Sequence, residues 1–339
     1  MRHRDTPGVL ALWNGVWFEP DQGAEDRDGT APGVFYAGIA EPIPEIASAM
    51  RFLSTRLTAA TTLVATMGLP ALAAQPEPWQ TTFQPAATPI MAQIDWFEKY
   101  TLWFIIPVTF LVLVLLAWCI WRYRASANPI PSRTSHNTAI EVVWTVAPVV
   151  ILLFIAVPSF QLLTAQYTPP TEPTMTIKAT GNQWNWDYEY QIENPVTFNS
   201  MPLLRDEERA ALGKESLADY PRLLAVDNEM VVPVNTTVRV LVTASDVIHA
   251  FAMPAFGIKA DAVPGRINEL WFAAEREGLY YGQCSELCGK DHAYMPIGIR
   301  VVSQAQYDTW LAAAASDVPG ANRALMASIA SASTVAAAE

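Results

Sequence analysis

The chain has 339 residues, 51% of them hydrophobic, and a formal net charge of −12. This length can form one large domain or two smaller ones. The acidic balance argues against nucleic acid as a partner and favours a basic protein partner. The three cysteines, Cys119, Cys284 and Cys288, are too few for a disulfide framework.

Residues 50–74 have the pattern of a secretory signal peptide. A positively charged start precedes a mostly apolar run at 57–69, and a small-residue cleavage pattern follows at 71–73. Signal peptides begin at the N-terminus of a chain, so we expect Met50 to be the true start and residues 1–49 to result from a mis-called start codon. The alternative is a real, disordered extension rich in Gly, Pro and Asp.

Two apolar runs predict a transmembrane helical hairpin over 99–165. Residues 102–121 and 142–163 carry no charge, and each run is long enough to cross a bilayer. A buried helix of a soluble protein is the alternative, but two such runs in succession argue against it. Residues 75–98 then form an exported N-terminal segment. The loop between the runs is predicted to be cytoplasmic because it carries Arg122, Arg124 and Arg133.

From about residue 170 the chain turns polar, and an all-β domain is predicted over 170–311. Its spacing of turns is typical of a sandwich or barrel. The predicted strands are 175–179, 186–190, 236–243, 269–272 and 298–302. Residues 203–220 are expected to be an inserted loop with some helix, and the Ala/Ser-rich tail at 312–339 a frayed helix or disordered.

This domain is acidic. Residues 175–310 contain 18 Asp plus Glu and 11 Lys plus Arg, a net charge of 11 − 18 = −7. One interpretation is an ordinary acidic surface, and the other is a docking face for a basic partner. Charge alone does not separate the two.

Potential metal ligands are concentrated between residues 284 and 295. Cys284 and Cys288 are four residues apart, His292 lies four beyond, and Met295 three beyond that. The other histidine of the predicted β-domain is His249, thirty-five residues upstream of Cys284.

Three interpretations of this pattern compete. A disulfide in an oxidising compartment would leave the histidine and methionine unexplained. A zinc site of two cysteines and two histidines would not require Met295. Copper is favoured because thiolate and thioether are soft ligands. Two thiolates could bridge two copper ions, each capped by one histidine, with Met295 a weak ligand to one ion and the Glu286 carbonyl oxygen serving the other.

The chain resembles subunit II of the haem–copper cytochrome c oxidases from about residue 96 to residue 310. The most specific stretches are YYGQCSELCGKDHAYMPI, VIHAFAMPAFGIKADAVPGR and, at 181–190, GNQWNWDYEY. The resemblance implies a two-helix transmembrane hairpin followed by an all-β, cupredoxin-like Greek-key barrel. It also implies that this barrel carries CuA, a dinuclear copper centre.

The resemblance assigns metal ligands residue by residue. The implied copper ligands are His249, Cys284, Glu286 through its carbonyl, Cys288, His292 and Met295. The Glu286 carboxylate is further implied to bind a magnesium ion shared with subunit I, and an oxygen ligand suits that hard cation.

Further roles are implied for five residues. Trp184 matches the tryptophan through which electrons enter, although sequence alone favours an ordinary core or surface aromatic. Glu141 matches a glutamate at the mouth of a proton channel, although it could be an ordinary interfacial charge. Glu189, Asp227 and Asp246 match acidic positions that dock cytochrome c.

The chain departs from the family pattern near Trp184. Asn182 and Asn185 stand where the family often has histidine and tyrosine, so local hydrogen bonding and contact with the electron donor are expected to differ from the family pattern. The chain contains no Cys-x-x-Cys-His motif for covalent haem attachment. The donor is therefore expected to be a separate cytochrome c.

The expected protein is a subunit of a bacterial cytochrome c oxidase in the inner membrane, with its CuA domain in the periplasm. Its expected partners are cytochrome c, subunit I, other oxidase subunits and membrane lipid. One rival is a copper chaperone or thiol reductase of thioredoxin-like fold. The other rivals are the soluble CuA domain of nitrous oxide reductase and a quinol-oxidase subunit II, which lacks the copper ligands.

Overall fold

Residues 75–130 and 132–336 are described by the structure, a computed structural model. The predicted signal peptide at 50–74 and the segment 1–49 lie outside the described residues. The helices are α1 (Pro89–Arg122), α2 (Thr138–Tyr167), α3 (Asp206–Ala211), α4 (Gln304–Ala314) and α5 (Val318–Ala336). The strands are β1 (Met175–Asn182), β2 (Asn185–Tyr190), β3 (Val196–Ser200), β4 (Met230–Pro233), β5 (Thr237–Ala244), β6 (His249–Met253), β7 (Ile258–Ala262), β8 (Asn268–Ala273), β9 (Gly278–Cys284) and β10 (Pro296–Val302).

Helices α1 and α2 confirm the predicted pair of long apolar helices. In each helix, an 18-residue stretch has a mean hydropathy of 2.6, and no residue of that stretch is buried within the protein. The Thr88 hydroxyl caps the start of α1, and the Asn137 side chain caps the start of α2. Helix α1 begins ten residues before the expected hairpin start, so residues 89–98 of the predicted exported segment are helical and continuous with the first apolar run.

The predicted all-β domain is confirmed as two five-stranded sheets. One sheet has the strand order β3-β2-β1-β5-β8, and the other has the order β4-β10-β9-β6-β7. Most neighbours are antiparallel, but β1 pairs in parallel with β5, and β10 pairs in parallel with β4. These parallel pairs join strands far apart in the chain, so the topology cannot be a simple series of hairpins.

Aromatic side chains of β2 fill the space between the sheets. Trp186, Tyr188 and Tyr190 alternate along the strand and are fully buried. The Tyr190 hydroxyl donates to the Val231 carbonyl at 2.7 Å and accepts from the Val231 N–H at 2.8 Å. This reciprocal pair fixes one sheet to the other, because Val231 belongs to β4.

A buried ionic cluster joins the predicted insertion 203–220 to strands of the β-domain. Glu229 accepts from the Lys214 ammonium at 2.7 Å and from the Arg300 guanidinium at 2.8 Å. Burial alone would raise the Glu229 pKa, but the two cations reverse this and hold it at about 2. The predicted insertion 203–220 was expected to be a loop with some helix, and it contains the short helix α3.

The C-terminal tail differs from its prediction. Residues 318–336 form α5, and Val318, Ala321 and Leu325 on one face are buried. Asn322 of α5 accepts from the Trp310 indole at 2.7 Å and donates to Asn228 at 2.9 Å. The tail is thus a helix over this range, because its apolar stripe belongs to the hydrophobic core cluster and packs beside α4.

The β-domain is joined directly to the start of the hairpin. The Ala87 N–H donates to the Ala255 carbonyl, and the Ala87 carbonyl accepts from the Glu275 N–H, both at 2.9 Å. The Thr88 hydroxyl donates to the Phe256 carbonyl at 2.7 Å. These bonds tie the residues at the start of α1 to the turn after β6 and to the connection between β8 and β9.

Candidate metal centre

The candidate ligands meet because three strands of one sheet lie side by side. Strand β9 ends at Cys284 and pairs antiparallel with β10, so the loop 285–295 starts and finishes at the same sheet end. In the β6–β9 pair, Phe251 lies opposite Cys284. His249 is two residues before Phe251 on the same face, which places it diagonally beside Cys284.

Four side chains form a chain of close contacts. The Cys284 and Cys288 sulfurs are 3.7 Å apart. The His249 Nδ1 lies 3.8 Å from the Cys284 sulfur, and the His292 Nδ1 lies 3.6 Å from the Cys288 sulfur. One ligand atom from each of His249, Cys284 and Cys288 falls within 4.8 Å of the others. The structure therefore contains a compact His/Cys/Cys metal-binding group with a second histidine beside it.

The two remaining candidates lie in the same loop. Met295 is completely buried, and its carbonyl accepts from the Cys284 N–H at 2.9 Å. The Glu286 carbonyl oxygen lies 3.3 Å from the Cys284 sulfur, although Glu286 as a whole is exposed to solvent. The Glu286 carbonyl thus faces the cysteine and histidine cluster, and the residue remains accessible from solvent.

The two thiols differ in their proton affinity. Burial raises the pKa of Cys284, but hydrogen bonds from His249 and the neighbouring backbone outweigh burial and lower that pKa below its ordinary value. Burial and the adjacent Cys284 sulfur both raise the pKa of Cys288. Two thiolates in contact repel each other, so a cation between them is needed to hold both deprotonated.

The donor set fits a soft metal ion such as copper. Both cysteines are free thiols, and their 3.7 Å separation is far beyond a disulfide bond length of about 2.05 Å. In both histidines the Nδ1 atom faces a cysteine sulfur: that of His249 faces Cys284, and that of His292 faces Cys288. Thiolate and imidazole with a buried thioether nearby match the ligand preferences of copper.

His249 is oriented from its far side by Asp246. The His249 Nε2 lies 2.9 Å from one Asp246 oxygen, and the other Asp246 oxygen accepts from the Gln183 N–H at 2.7 Å. A carboxylate in this position fixes the ring and leaves the opposite nitrogen free to bind a metal. The sequence interpretation gave Asp246 only a docking role and missed this contact.

Two further residues shape the space around His249. Gly181 of β1 packs so closely that an added Cβ would lie 2.9 Å from the imidazole Cδ2. The Trp186 indole meets the imidazole edge-to-face at a centroid distance of 6.1 Å. Both belong to the opposite sheet, so the histidine is held between the two layers.

Trp184 contacts the ligand loop directly. Its indole N–H donates to the Cys288 carbonyl at 3.2 Å, and the Gln183 amide donates to the same carbonyl at 2.8 Å. A Cβ added at Gly289 would lie 2.9 Å from the Trp184 ring. The tryptophan is therefore half-buried against the loop that carries Cys288.

Asn182 and Asn185, the departures from the family pattern, belong to one polar network. The Asn182 amide donates to Asp187 at 2.8 Å, and the Asn199 amide donates to both Asn185 and Asp187 at 2.7 Å. The Ser245 hydroxyl donates to the Asn182 carbonyl oxygen at 2.6 Å. The network braces the β1–β2 turn on which Trp184 sits.

The other predicted site residues are spread over the molecule. Glu189 is partly exposed and lies 3.5 Å from the Lys178 ammonium. Asp227 accepts from the Met201 and Asn228 N–H groups, and burial raises its pKa. Glu141 lies in the first turn of α2 and accepts from the Asn137 N–H at 3.2 Å.

Comparison with known proteins agrees with this geometry. The family model described as cytochrome c oxidase subunit II, periplasmic domain, matches residues 175–302. The model for the transmembrane domain of the same subunit matches residues 76–162. The fold and the site define a membrane protein with a cupredoxin-like domain and a copper-type ligand cluster.

The chain belongs to the cytochrome c oxidase subunit II family, and it is part of an oxidoreductase complex. It is 47% identical over 241 residues to the probable cytochrome c oxidase subunit 2 of Rickettsia felis, covering 71% of this chain and 73% of that protein. It is 44% identical over 265 residues to cytochrome c oxidase subunit 2 of Cereibacter sphaeroides, covering 75% and 87%. A crystal structure of the periplasmic domain of subunit II of Bradyrhizobium japonicum cytochrome oxidase is 51% identical, covers 44% of this chain and 98% of that chain, and has a TM-score of 0.39.

Proposed function

We propose that this chain accepts electrons from reduced cytochrome c at a dinuclear CuA centre and passes them to haem in subunit I. There oxygen is reduced to water, and the reaction is coupled to proton pumping. The observation that carries the proposal is the contact chain from His249 through the two cysteine sulfurs to His292, with a 3.7 Å separation between the sulfurs.

The residues suited to hold two copper ions are those of the loop and its strand neighbour. Copper held by these residues would supply reversible one-electron chemistry. The Cys284 and Cys288 sulfurs would hold both ions, and each histidine adjoins a different sulfur. The remaining proposed ligands are Met295 and the Glu286 carbonyl.

Trp184 is the proposed point at which electrons enter. Its indole N–H bonds to the carbonyl of Cys288, which is itself a proposed ligand. A donor touching the indole would therefore be separated from the metal site by one hydrogen bond and one residue. Glu189, Asp227 and Asp246 are the proposed docking acids for a basic cytochrome c.

The proposed orientation follows from the charge of the loop between α1 and α2. Arg122 at the end of α1 and Arg124 and Arg133 in the loop are assigned to the cytoplasmic side, so the β-domain lies on the periplasmic side of a bacterial inner membrane. Glu141, at the loop end of α2, is then at the cytoplasmic surface and suited to a proton channel mouth. The exposed Glu286 is the proposed ligand to a magnesium ion shared with subunit I.

The function can be tested by stopped-flow reduction of the copper-loaded full chain in detergent by reduced cytochrome c. Trp184→Phe removes the hydrogen bond to Cys288, and we expect electron transfer to slow by about tenfold or more. Trp96→Phe, in α1, is the control and should leave the rate unchanged. Equal rates for wild type and Trp184→Phe, with the same copper content, would contradict the proposed path.

A further inference from the structure

An exposed cation lies directly over the proposed site of electron transfer. The Lys290 ammonium is 5.0 Å from the centroid of the Trp184 ring, within the range of a cation–π contact. It also pairs with Asp291 at 2.7 Å, and its side chain remains 76% exposed. Lys290 is thus at the surface that a donor approaching Trp184 must meet.

The position of this lysine is fixed by the ligand loop. The Cys288 carbonyl accepts a hydrogen bond from the Trp184 indole N–H. Gly289 packs against the same ring with a φ of +126°, a conformation that favours glycine. The residue after the glycine is then brought over the indole. The loop therefore holds the Lys290 backbone beside the indole, and the side chain reaches over the ring from there.

Lys290 is a positive charge in a domain whose net charge is negative. Residues 175–310 carry a net charge of −7, which attracts a basic donor. A cation at Trp184 repels a basic group at that one point while leaving the longer-range attraction in place. Like charges at a contact disfavour one partner relative to another and so contribute to specificity.

We propose that Lys290 is a specificity-determining residue for the electron donor. It selects a basic cytochrome whose surface facing Trp184 is itself uncharged or acidic, with the basic groups arranged around that point. This inference rests on the proposed function, since it assumes that Trp184 is where the donor docks.

The test is the dissociation constant of oxidised cytochrome c from the full chain in detergent, measured by calorimetry over a series of salt concentrations. With Lys290→Met we expect the Kd for a basic cytochrome c to fall about two- to fivefold at low salt, in line with the effect of one exposed charge. The dependence on salt should steepen, because the domain becomes more negative. Lys290→Arg keeps the cation and the ring contact and should behave as wild type.

Lys259→Met is the matched control, because Lys259 is an exposed lysine on β7 at the opposite end of the β6–β7 pair from His249. It should change the Kd by less than half as much as Lys290→Met. A lysine that only held the indole in place would alter the Kd without changing its salt dependence. An unchanged or weaker affinity of Lys290→Met, with wild type binding normally, would overturn the inference alone. Failure of wild type to bind at low salt would overturn the proposed donor as well.

Discussion

At His249, one imidazole nitrogen faces Cys284 and the other faces Asp246. Replacing Asp246 by Ala removes the acceptor that fixes the ring, so we expect copper affinity to fall by about 10- to 100-fold. Asp246→Asn keeps an acceptor oxygen but loses the charge, and its effect should be smaller.

Competition with a copper chelator measures these affinities. Asp308→Asn, on an exposed position of α4, is the control and should retain wild-type affinity. Unaltered affinity in Asp246→Ala would mean that the carboxylate does not orient the histidine.

Gly181 is a second residue on which the ligand depends. In Gly181→Ala the new methyl would lie 2.9 Å from a fully buried imidazole, so His249 must move. We expect a loss of stability of about 1–3 kcal/mol together with an altered copper spectrum. Chemical denaturation and visible absorption measure the two effects separately.

Gly298→Ala is the matched control, because its methyl would crowd Val226 at 2.8 Å, away from the metal ligands. It should destabilise the protein to a similar degree and leave the copper spectrum as in wild type. A Gly181→Ala spectrum identical to wild type would show that the histidine accommodates the methyl.

The candidate ligands could be found from sequence because four of them occupy one short loop. Spacing and chemistry were enough to propose metal binding there. The roles of Asp246 and Gly181 could not be found in this way. Gly181 reaches His249 only because the two sheets face each other, and no local pattern records that contact.

Among the elements, α5 is the one whose role the composition concealed. Its Ala/Ser content suggested a frayed tail, yet Leu325 is 5% exposed. We expect Leu325→Ala to lower the free energy of unfolding by about 2 kcal/mol or more, as for other buried leucines. Arg323→Ala, at an exposed position of the same helix, should change it by less than about 0.5 kcal/mol.

Urea unfolding followed by tryptophan fluorescence distinguishes the two cases. Equal stability of Leu325→Ala and wild type would indicate a tail that does not contribute to the fold.

The strands found from sequence are those with clear turns or β-branched runs, such as β5. Strands β3, β4, β6, β7 and β9 were not predicted as strands. β4 is short and buried at every position, so it lacks the alternation that marks a half-buried strand. Most of β9 is likewise buried, and its C-terminal end was noticed only for its cysteine.

For the whole molecule, the buried Glu229 cluster couples stability to pH. The Glu229 pKa is about 2 in the fold against an ordinary 4.5, so folding favours the ionised form. This difference contributes about 3 kcal/mol that is fully present above pH 4.5 and is lost as the pH falls towards 2. Glu229→Gln should therefore destabilise the protein at pH 7 and flatten its acid dependence.

Urea unfolding of the metal-free chain at several pH values tests this expectation. Glu193→Gln, at an exposed position, should reproduce the wild-type pH profile. A wild-type stability that stays constant between pH 5 and pH 3 would contradict the coupling assigned to Glu229.

The architecture as a whole was accessible from sequence because its two halves differ so strongly in composition. The two long uncharged runs predict the helical hairpin, and the regularly spaced turns predict the β-domain. The pairing of strands was not accessible, because the parallel contacts of β1 with β5 and of β4 with β10 join segments far apart in the chain.

Electron paramagnetic resonance of the copper-loaded full chain in detergent is the most direct test of the proposed dinuclear copper centre. We expect two coppers per chain and a mixed-valence signal with hyperfine splitting from two equivalent copper nuclei. Cys288→Ser removes one proposed bridge and should abolish that signal. A signal from a single copper ion in the wild type, or no signal together with a Cys284–Cys288 disulfide, would show that the chain does not hold a dinuclear copper centre.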